Sequence, residues 1–352
     1  MSKLYVAQGN DVRNMTKRLL KQIRLEQYIG KDDSIGLKPN LVVSKTYKSG
    51  ATTNPVICEE IIEYLFSHGR RNVFIIESSW IGDSTKRAFK VCGYEALSKK
   101  FGIELVDVKK DDMVVKEYEG FKVKVSKRAL ETDYIINLPL IKGHCQTKMT
   151  CALKNLKGLI SDKEKRRFHT LGLDKPIAYL NKIISADFVI ADGTWIDPTF
   201  EEGGNPTALD VMIAGRDPVL VDTYAADLLG YHFTDIGYLN IADSLGIGSS
   251  DISSANIEFV GAEQESKVVE RNAELDRVEK LINQDEACSS CYANLVSAMI
   301  ETGYKKQEVC VGQGFKGKKG SFGSGDCTSC FDEYIKGCPP SVEDIAQILR
   351  IK

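Results

Sequence analysis

No apolar run in this 352-residue sequence reaches the roughly 18 residues that a membrane-spanning helix needs. Net charge is nearly missing as well. Forty-seven Lys and Arg stand against 49 Asp and Glu, a formal −2, so no global basic field recruits nucleic acid. The start, Met-Ser-Lys-Leu-Tyr, has no charged segment followed by an apolar stretch, and nothing in it suggests secretion. No G-x-G-x-x-G opens a helix after a strand, so no nicotinamide site is argued. There is no low-complexity segment and no clear repeat at solenoid periods. Histidine is scarce, with four in the chain. The expectation is a soluble, cytoplasmic protein that contacts neither membrane nor nucleic acid.

What is present is an alternation of two patterns. Short apolar runs rich in β-branched residues predict strands at Leu4–Ala7, Ile35–Val43, Val73–Glu77, Glu104–Val108, Tyr134–Leu140, Phe188–Asp192, Val211–Ala214 and Ile257–Val260. Amphipathic helices fall between them. Asn54-Pro55 and Asp217-Pro218 each pair a capping side chain with proline at the first helical position, and the helices stop near Gly69 and Gly230. A hairpin is expected at Val114–Tyr118 and Phe121–Val125. Such alternation argues for an α/β fold with mixed or parallel sheets covered by helices. With 43% hydrophobic residues the chain can bury a full core. The charged stretch around 267–285 predicts a boundary, with a body over residues 1–266 and a small C-terminal cysteine-rich metal-cluster module over 267–352.

Six of the ten cysteines fall in the last 65 residues: Cys288, Cys291, Cys310, Cys327, Cys330 and Cys338. In a reducing compartment, clustered cysteines read as metal ligands before disulfides. Two C-x-x-C pairs, Cys288/Cys291 and Cys327/Cys330, have the spacing of a structural zinc site. Two features point instead to a [4Fe–4S] cluster. Cys338 is followed by Pro339 and Pro340, and proline after a cluster cysteine recurs in iron–sulfur proteins. The approach to Cys327 is rich in glycine (Gly312, Gly314, Gly317, Gly320, Gly323, Gly325), which lets backbone amides come close to cluster sulfides.

Ionisable and amide side chains concentrate where predicted strands end, and ligands bind at carboxyl ends of strands in open α/β sheets. Lys38-Pro39-Asn40 interrupts an apolar run, Glu77 closes a buried strand, and Thr53 stands at a helix N-terminus suited to an anion. The densest stretch runs from Lys142 and His144 to Lys154 and Asn155 and on to His169. Lysines there suit a carboxylate or phosphate, and a histidine can shuttle a proton near neutral pH. Lys142, His144 and His169 are therefore the catalytic candidates. Lys38, Asn40, Thr53, Glu77, Lys154, Asn155 and Asp192 are the substrate-binding candidates. Asp217 reads as a helix cap, and Cys58 and Cys92 as small buried hydrophobes.

Lys-Pro-Asn at 38–40, Asn-Leu-Pro-x-x-Lys-x-His at 137–144, Leu-Lys-Asn-Leu-Lys-Gly at 153–158, Ala-Asp-x-x-Ile-Ala-Asp-Gly at 186–193 and Ile-Ala-Gly-Arg-Asp-Pro-Val at 213–219 occur in this order. Together they resemble the domain of unknown function 362, over roughly residues 3–260. Members of that family often carry iron–sulfur cysteines, as a ferredoxin-like insert or as a C-terminal piece ending in Gly-Cys-Pro-Pro. The resemblance implies the second form here, with Cys288, Cys291, Cys327 and Cys338 as metal ligands. No C-x-x-C-x-x-C-x-x-x-C-P run is present, so a two-cluster insert is not expected.

The expected function is that of an iron–sulfur oxidoreductase or electron-transfer protein, with the cluster module docked over the ligand crevice. Its partners would be an acidic small-molecule substrate or an organic redox cofactor and an acidic electron carrier such as ferredoxin or flavodoxin. The five lysines of residues 305–319, against one acid, would steer that carrier. Two rivals remain at this level: a cluster acting as a Lewis acid in a dehydration, and a zinc-ribbon binding module without catalysis.

Overall fold

The computed structural model describes residues 2–261, 268, 269 and 273–352. The boundary expected between 266 and 267 lies outside the described residues. Two compact units make up the chain. The first comprises Met1–Lys165 and Ile177–Val269, the second Arg166–Pro176 and Glu270–Lys352. The expected body thus cedes residues 166–176 to the second unit. The helix Asp162–Thr170 spans the change of unit, which a charge pattern along the sequence could not reveal.

The strands of the first unit are β1 (Lys3–Gln8), β2 (Ile35–Pro39), β3 (Val73–Glu77), β4 (Glu104–Asp107), the hairpin β5 (Met113–Tyr118) and β6 (Phe121–Ser126), β7 (Tyr134–Leu138), the short hairpin β8 (Lys142–His144) and β9 (Lys148–Thr150), β10 (Phe188–Gly193), β11 (Val211–Gly215) and β12 (Asn256–Val260). Eight of them form one sheet in the order β12-β1-β11-β10-β7-β2-β3-β4. Every neighbouring pair is parallel except those involving β11. Alternation along the strands decides the layers. Tyr5, Leu37, Ile75, Ile136, Ile190 and Met212 join one apolar cluster with the helices Val12–Ile23 and Pro55–Ser67. Val6, Ile135, Val189 and Ile213, their neighbours in sequence, are equally buried, and the helix Pro218–Leu228 packs on β10 and β11. Burial on both faces is why these strands read as unbroken apolar runs.

Two expectations shorten. The run Ile35–Val43 ends as a strand at Pro39, because proline has no N–H to donate and the Asn40 amide turns to Thr53 Oγ1 at 2.8 Å. The run Glu104–Val108 ends at Asp107, whose carboxylate caps the next turn by accepting from the Lys109 amide at 3.1 Å.

The path of the chain places the crevice. From β2 it lays β3 and β4 outward in turn, then returns to set β7 on the other side of β2. A reversal of this kind leaves a cleft at the carboxyl ends of the strands beside the switch point. Those ends are Lys38-Pro39-Asn40, Glu77 and Leu138.

The second unit is a four-stranded parallel sheet, β13 (Ile282–Gln284), β14 (Val309–Val311), β15 (Phe322–Ser324) and β16 (Glu333–Ile335), in sequence order. Each strand has three residues, too few to show a period in sequence. Val309, Val311, Phe322 and Ile335 pack with Leu295, Val296 and Met299 of the helix Ser289–Thr302 and with Ile345 and Leu349 of the helix Val342–Ile351.

Asp217 is the cap that its sequence suggests. Its carboxylate accepts from the amides of Val219, Leu220 and Ser249, each at 3.0 Å. Asp217→Ala leaves all three without that partner and should cost about 1–2 kcal/mol, read as a lower midpoint in urea at unchanged slope.

Candidate functional site

The carboxyl ends of β2 and β3 meet in a buried ion pair. Lys38 Nζ donates to Glu77 Oε2 at 2.6 Å and to the Pro39 carbonyl at 2.8 Å, and the Lys38 side chain is wholly buried. Burial pulls the Lys38 ammonium below its ordinary value, and the charge of Glu77 opposes that pull. The same carboxylate accepts from the Ser78 amide at 2.6 Å and the Leu41 amide at 3.2 Å. Gly158 lies against the pair. A Cβ there would come within 2.0 Å of Glu77 Oε1 and 2.6 Å of Lys38 Nζ.

An amide chain carries the network onward. Asn155 donates to the Lys38 carbonyl (3.2 Å) and to Asn137 Oδ1 (2.8 Å), and accepts from the Asn40 side chain (2.9 Å). Asn40 Oδ1 then accepts from Lys142 Nζ at 3.0 Å. Lys142 also donates to the carbonyls of Ala51 at 2.7 Å and Glu201 at 2.8 Å. Burial, partly offset by Glu201, pushes Lys142 down to about 7, and loss of solvent takes Lys157 to about 7 as well.

His144 is held in one tautomer. Its Nδ1 accepts from the amides of Gln146 and Thr147, both at 3.1 Å, so the ring proton sits on Nε2 and is donated to Glu201 Oε2 at 2.7 Å. Burial holds the ring neutral, with a pKa of about 4. Lys154 Nζ reaches the same Glu201 oxygen at 3.5 Å and Thr150 Oγ1 at 3.1 Å. On Glu201, burial acts to raise the pKa, but His144, Lys154 and Lys157 overcome it and hold the carboxyl well below its usual range.

Lys38, Asn40, Glu77, Lys142, His144, Lys154 and Asn155 are therefore gathered into one cluster. Thr53 and Asp192 have other duties beside it. Thr53 Oγ1 donates to the Leu138 carbonyl at 2.8 Å, and Asp192 accepts from the Asn54 amide at 2.8 Å and from Thr194. The anion expected at that helix N-terminus is thus met by protein groups, Asp192 and the Asn54 side chain. His169 was expected to join Lys142 and His144, but it belongs to the second unit, half-buried near the end of its helix. Sequence reasoning missed Glu201 and Lys165. Lys165 Nζ donates to Ser78 Oγ at 2.6 Å and to the Ser78 and Ser79 carbonyls, and burial lowers it to about 8. Neither residue adjoins an apolar run; the signal at Glu201 was an acid pair before Gly203-Gly204.

In the second unit three of the cysteines follow strand ends. Cys288 comes four residues after β13, and Cys327 and Cys338 three residues after β15 and β16. Cys288 caps the helix Ser289–Thr302, with Cys291 in its first turn. Gln313, just past β14, donates from Nε2 to Cys288 Sγ at 3.5 Å and to the Thr170 carbonyl. Burial raises the Cys288 and Cys291 thiols, and the charges of Cys327 and Cys338 add to it. Cys310 is raised by burial and by Glu308, 3.9 Å away. Among the described residues, no three His, Cys, Asp or Glu side chains stand close enough to hold a single metal ion. The glycines before Cys327 mostly serve packing: Gly314 abuts Asp285, Gly320 abuts Phe331 and Gly323 abuts Thr328. Gly325 alone among them lies beside a cysteine, its Cβ position 3.8 Å from Cys291 Sγ.

The family model described as "Domain of unknown function (DUF362)" matches residues 35–227, more than half of the sequence. The chain belongs to this family. The match holds every residue of the lysine cluster, from Lys38 to Glu201, and ends before the C-terminal cysteines. Thylakoid-associated protein sll1697 of Synechocystis sp. is 25% identical to the DUF362 chain over 231 residues, covering 62% of this chain and 70% of that protein. Among solved structures, the lactate racemase apoprotein from Thermoanaerobacterium thermosaccharolyticum matches 67% of this chain and 58% of its own at 15% identity, with a TM-score of 0.43. A Thermotoga maritima protein matches 63% of this chain and 60% of its own at 13% identity, with a TM-score of 0.41. The DUF362 chain thus spans less than two thirds of either solved chain. No helix among the described residues is long and apolar enough to cross a membrane.

Gly158→Ala should cost about 1–3 kcal/mol in chemical denaturation, the usual range for forcing an extra carbon into a packed site. His144 should remain neutral at pH 6, with Nδ1 unprotonated and Nε2 protonated in nitrogen-15 spectra. A doubly protonated ring at that pH contradicts the assignment. Because the depressed lysines bind fewer protons folded than unfolded, stability rises as pH climbs from about 7 towards 10. Lys142→Met should reduce that slope by about one proton, or roughly 1.4 kcal/mol per pH unit.

Proposed function

We propose that the second unit binds a [4Fe–4S] cluster through Cys288, Cys291, Cys327 and Cys338. In this reading the protein is an oxidoreductase or electron-transfer protein acting on an anionic small molecule or organic redox cofactor held at the first unit's lysine cluster. The observation that carries the reading is that Cys288 and Cys291 lie within reach of the charges of Cys327 and Cys338, with Cys288, Cys327 and Cys338 each just past a strand of one small parallel sheet. The donor set is thiol only, and Gly325, with φ +94°, lets the backbone pass beside Cys291 without a side chain.

Such a cluster, when bound, supplies electrons singly. The chain's own residues do the rest. Cys288 and Cys291 present thiolates at a helix N-terminus, where the dipole favours negative charge. Gln313 aims an N–H at Cys288. In the first unit, Lys154 offers cationic charge to an anion, Lys142 and Lys157 offer amine donors that gain charge as the pH falls through about 7, and His144 offers a fixed N–H. Lys316, whose charge is felt by Cys288 and Cys327, joins Lys318 and Lys319 in a basic rim suited to an acidic electron carrier.

Protein purified without oxygen should be brown and contain iron and sulfide at about four each per chain. Cys338→Ala should abolish the stable cluster and Cys310→Ala should leave it intact. Stoichiometric zinc with no broad visible absorbance, in protein made under iron-replete anaerobic conditions, would sink the reading.

A further inference from the structure

Glu201 reaches the lysine cluster on a loop, residues 194–210, that follows β10. Asp197 closes the neck of that loop: Oδ1 accepts from the amides of Thr199 (2.8 Å) and Phe200 (2.9 Å), and Oδ2 from the amide of Asn205 (2.7 Å). Gly143 is packed under the neck, where a Cβ would come within 2.2 Å of the Pro198 carbonyl. The tip, residues 201–204, is held differently. Lys142 donates to the Glu201 carbonyl and Lys45 to the Glu202 carbonyl, both at 2.8 Å, while the Glu201 carboxylate rests on His144 and Lys154. Gly203 and Gly204 have φ of +70° and +149°, conformations that favour glycine. The Glu201 side chain keeps 35% of its surface exposed, whereas those of His144 and Lys154 keep 1% and 4%. The two donors are therefore shielded from solvent while the carboxylate they hold is not.

We propose that the Glu201 carboxylate stands where a ligand's carboxylate binds, and that the site takes a small monocarboxylic acid that displaces it and swings the loop tip outward. The inference rests on the reading of the lysine cluster as an anion site and names the class of anion. Charge favours a monoanion. Exchanging one carboxylate for another leaves the buried charge among Lys142, Lys154, Lys157, Glu77 and Asp197 unchanged, so no new desolvation cost arises. A dianion would add a charge to the chamber. Geometry agrees: a neutral imidazole N–H and an ammonium converge on a single oxygen, Oε2. That pattern suits one carboxylate oxygen, and Glu201 presents it on two methylenes, in effect a propionate.

The test titrates propionate and inorganic phosphate separately into the full-length protein and its E201Q and H144A/E201Q variants. Removing the internal competitor should tighten propionate binding at least tenfold in E201Q, with a smaller gain for phosphate, and H144A/E201Q should lose that gain. Equal propionate affinity in wild type and E201Q overturns the displacement while leaving an anion site intact. A larger gain for phosphate overturns the choice of a monocarboxylate. Binding of neither anion to any variant defeats the anion-site reading itself. Hydrogen exchange on the wild type gives a measure independent of the variants' folding. Saturating propionate should speed exchange of the Gly203 amide and leave the Asp197-bound amides of Thr199, Phe200 and Asn205 protected. An unchanged Gly203 amide counts against the proposal.

Discussion

A lysine taken fully out of water is tolerated only where its charge is met, and for Lys38 that demand falls on Glu77. This carboxylate sits at the end of a strand buried on both faces and answers Lys38 from the neighbouring strand as well as two backbone amides. The ends of β2 and β3 are thereby tied across the sheet, and Gly158 closes over the pair. The amide bridge through Asn155 and Asn40 to Lys142 starts from the strand end so fixed. Without the pair, the polar groups at the mouth of the sheet would have no rigid frame from which to be aimed.

The two units reach a similar arrangement with different chemistry. In each, polar or thiol side chains gather at or just after the carboxyl ends of parallel strands, because successive strands deliver their following loops to the same edge. The first unit uses long strands flanked by helices and delivers nitrogen donors there. The second uses strands of three residues and delivers sulfur. Spacing along the sequence differs accordingly. Lys38, Glu77 and Lys142 are separated by whole strand–helix repeats, whereas Cys327 and Cys338 are one short strand apart.

The strands and helices of the first unit were legible because their signals are local: β-branched runs, and Asn-Pro or Asp-Pro at helix starts. Lys38 and Glu77 were legible for a related reason, since a charge at the end of an apolar run is conspicuous. Glu201 was not, because its place in the cluster depends on a loop returning to His144 from more than fifty residues further along. The lysines of the helix Asp162–Thr170 looked alike in sequence, yet packing alone selects Lys165 for burial. The sheet of the second unit was invisible for want of length. The glycines before Cys327 do mark close approach, but most of them approach Asp285, Phe331 and Thr328.

The division of the chain also bears on its synthesis. Residues 166–176 belong to the second unit but precede the rest of it by roughly a hundred positions. At about 5–20 residues per second, they leave the ribosome on the order of ten seconds before β13 to β16 exist to receive them. During that interval the first unit must complete around a segment that is not its own. The helix Asp162–Thr170 can finish only half of its packing, with Lys165 on Ser78 and Ser79 while Thr170 awaits Gln313. The second unit is accordingly not a cassette that a single cut near residue 267 could remove or graft. Such a cut would leave an early piece of it behind in the body.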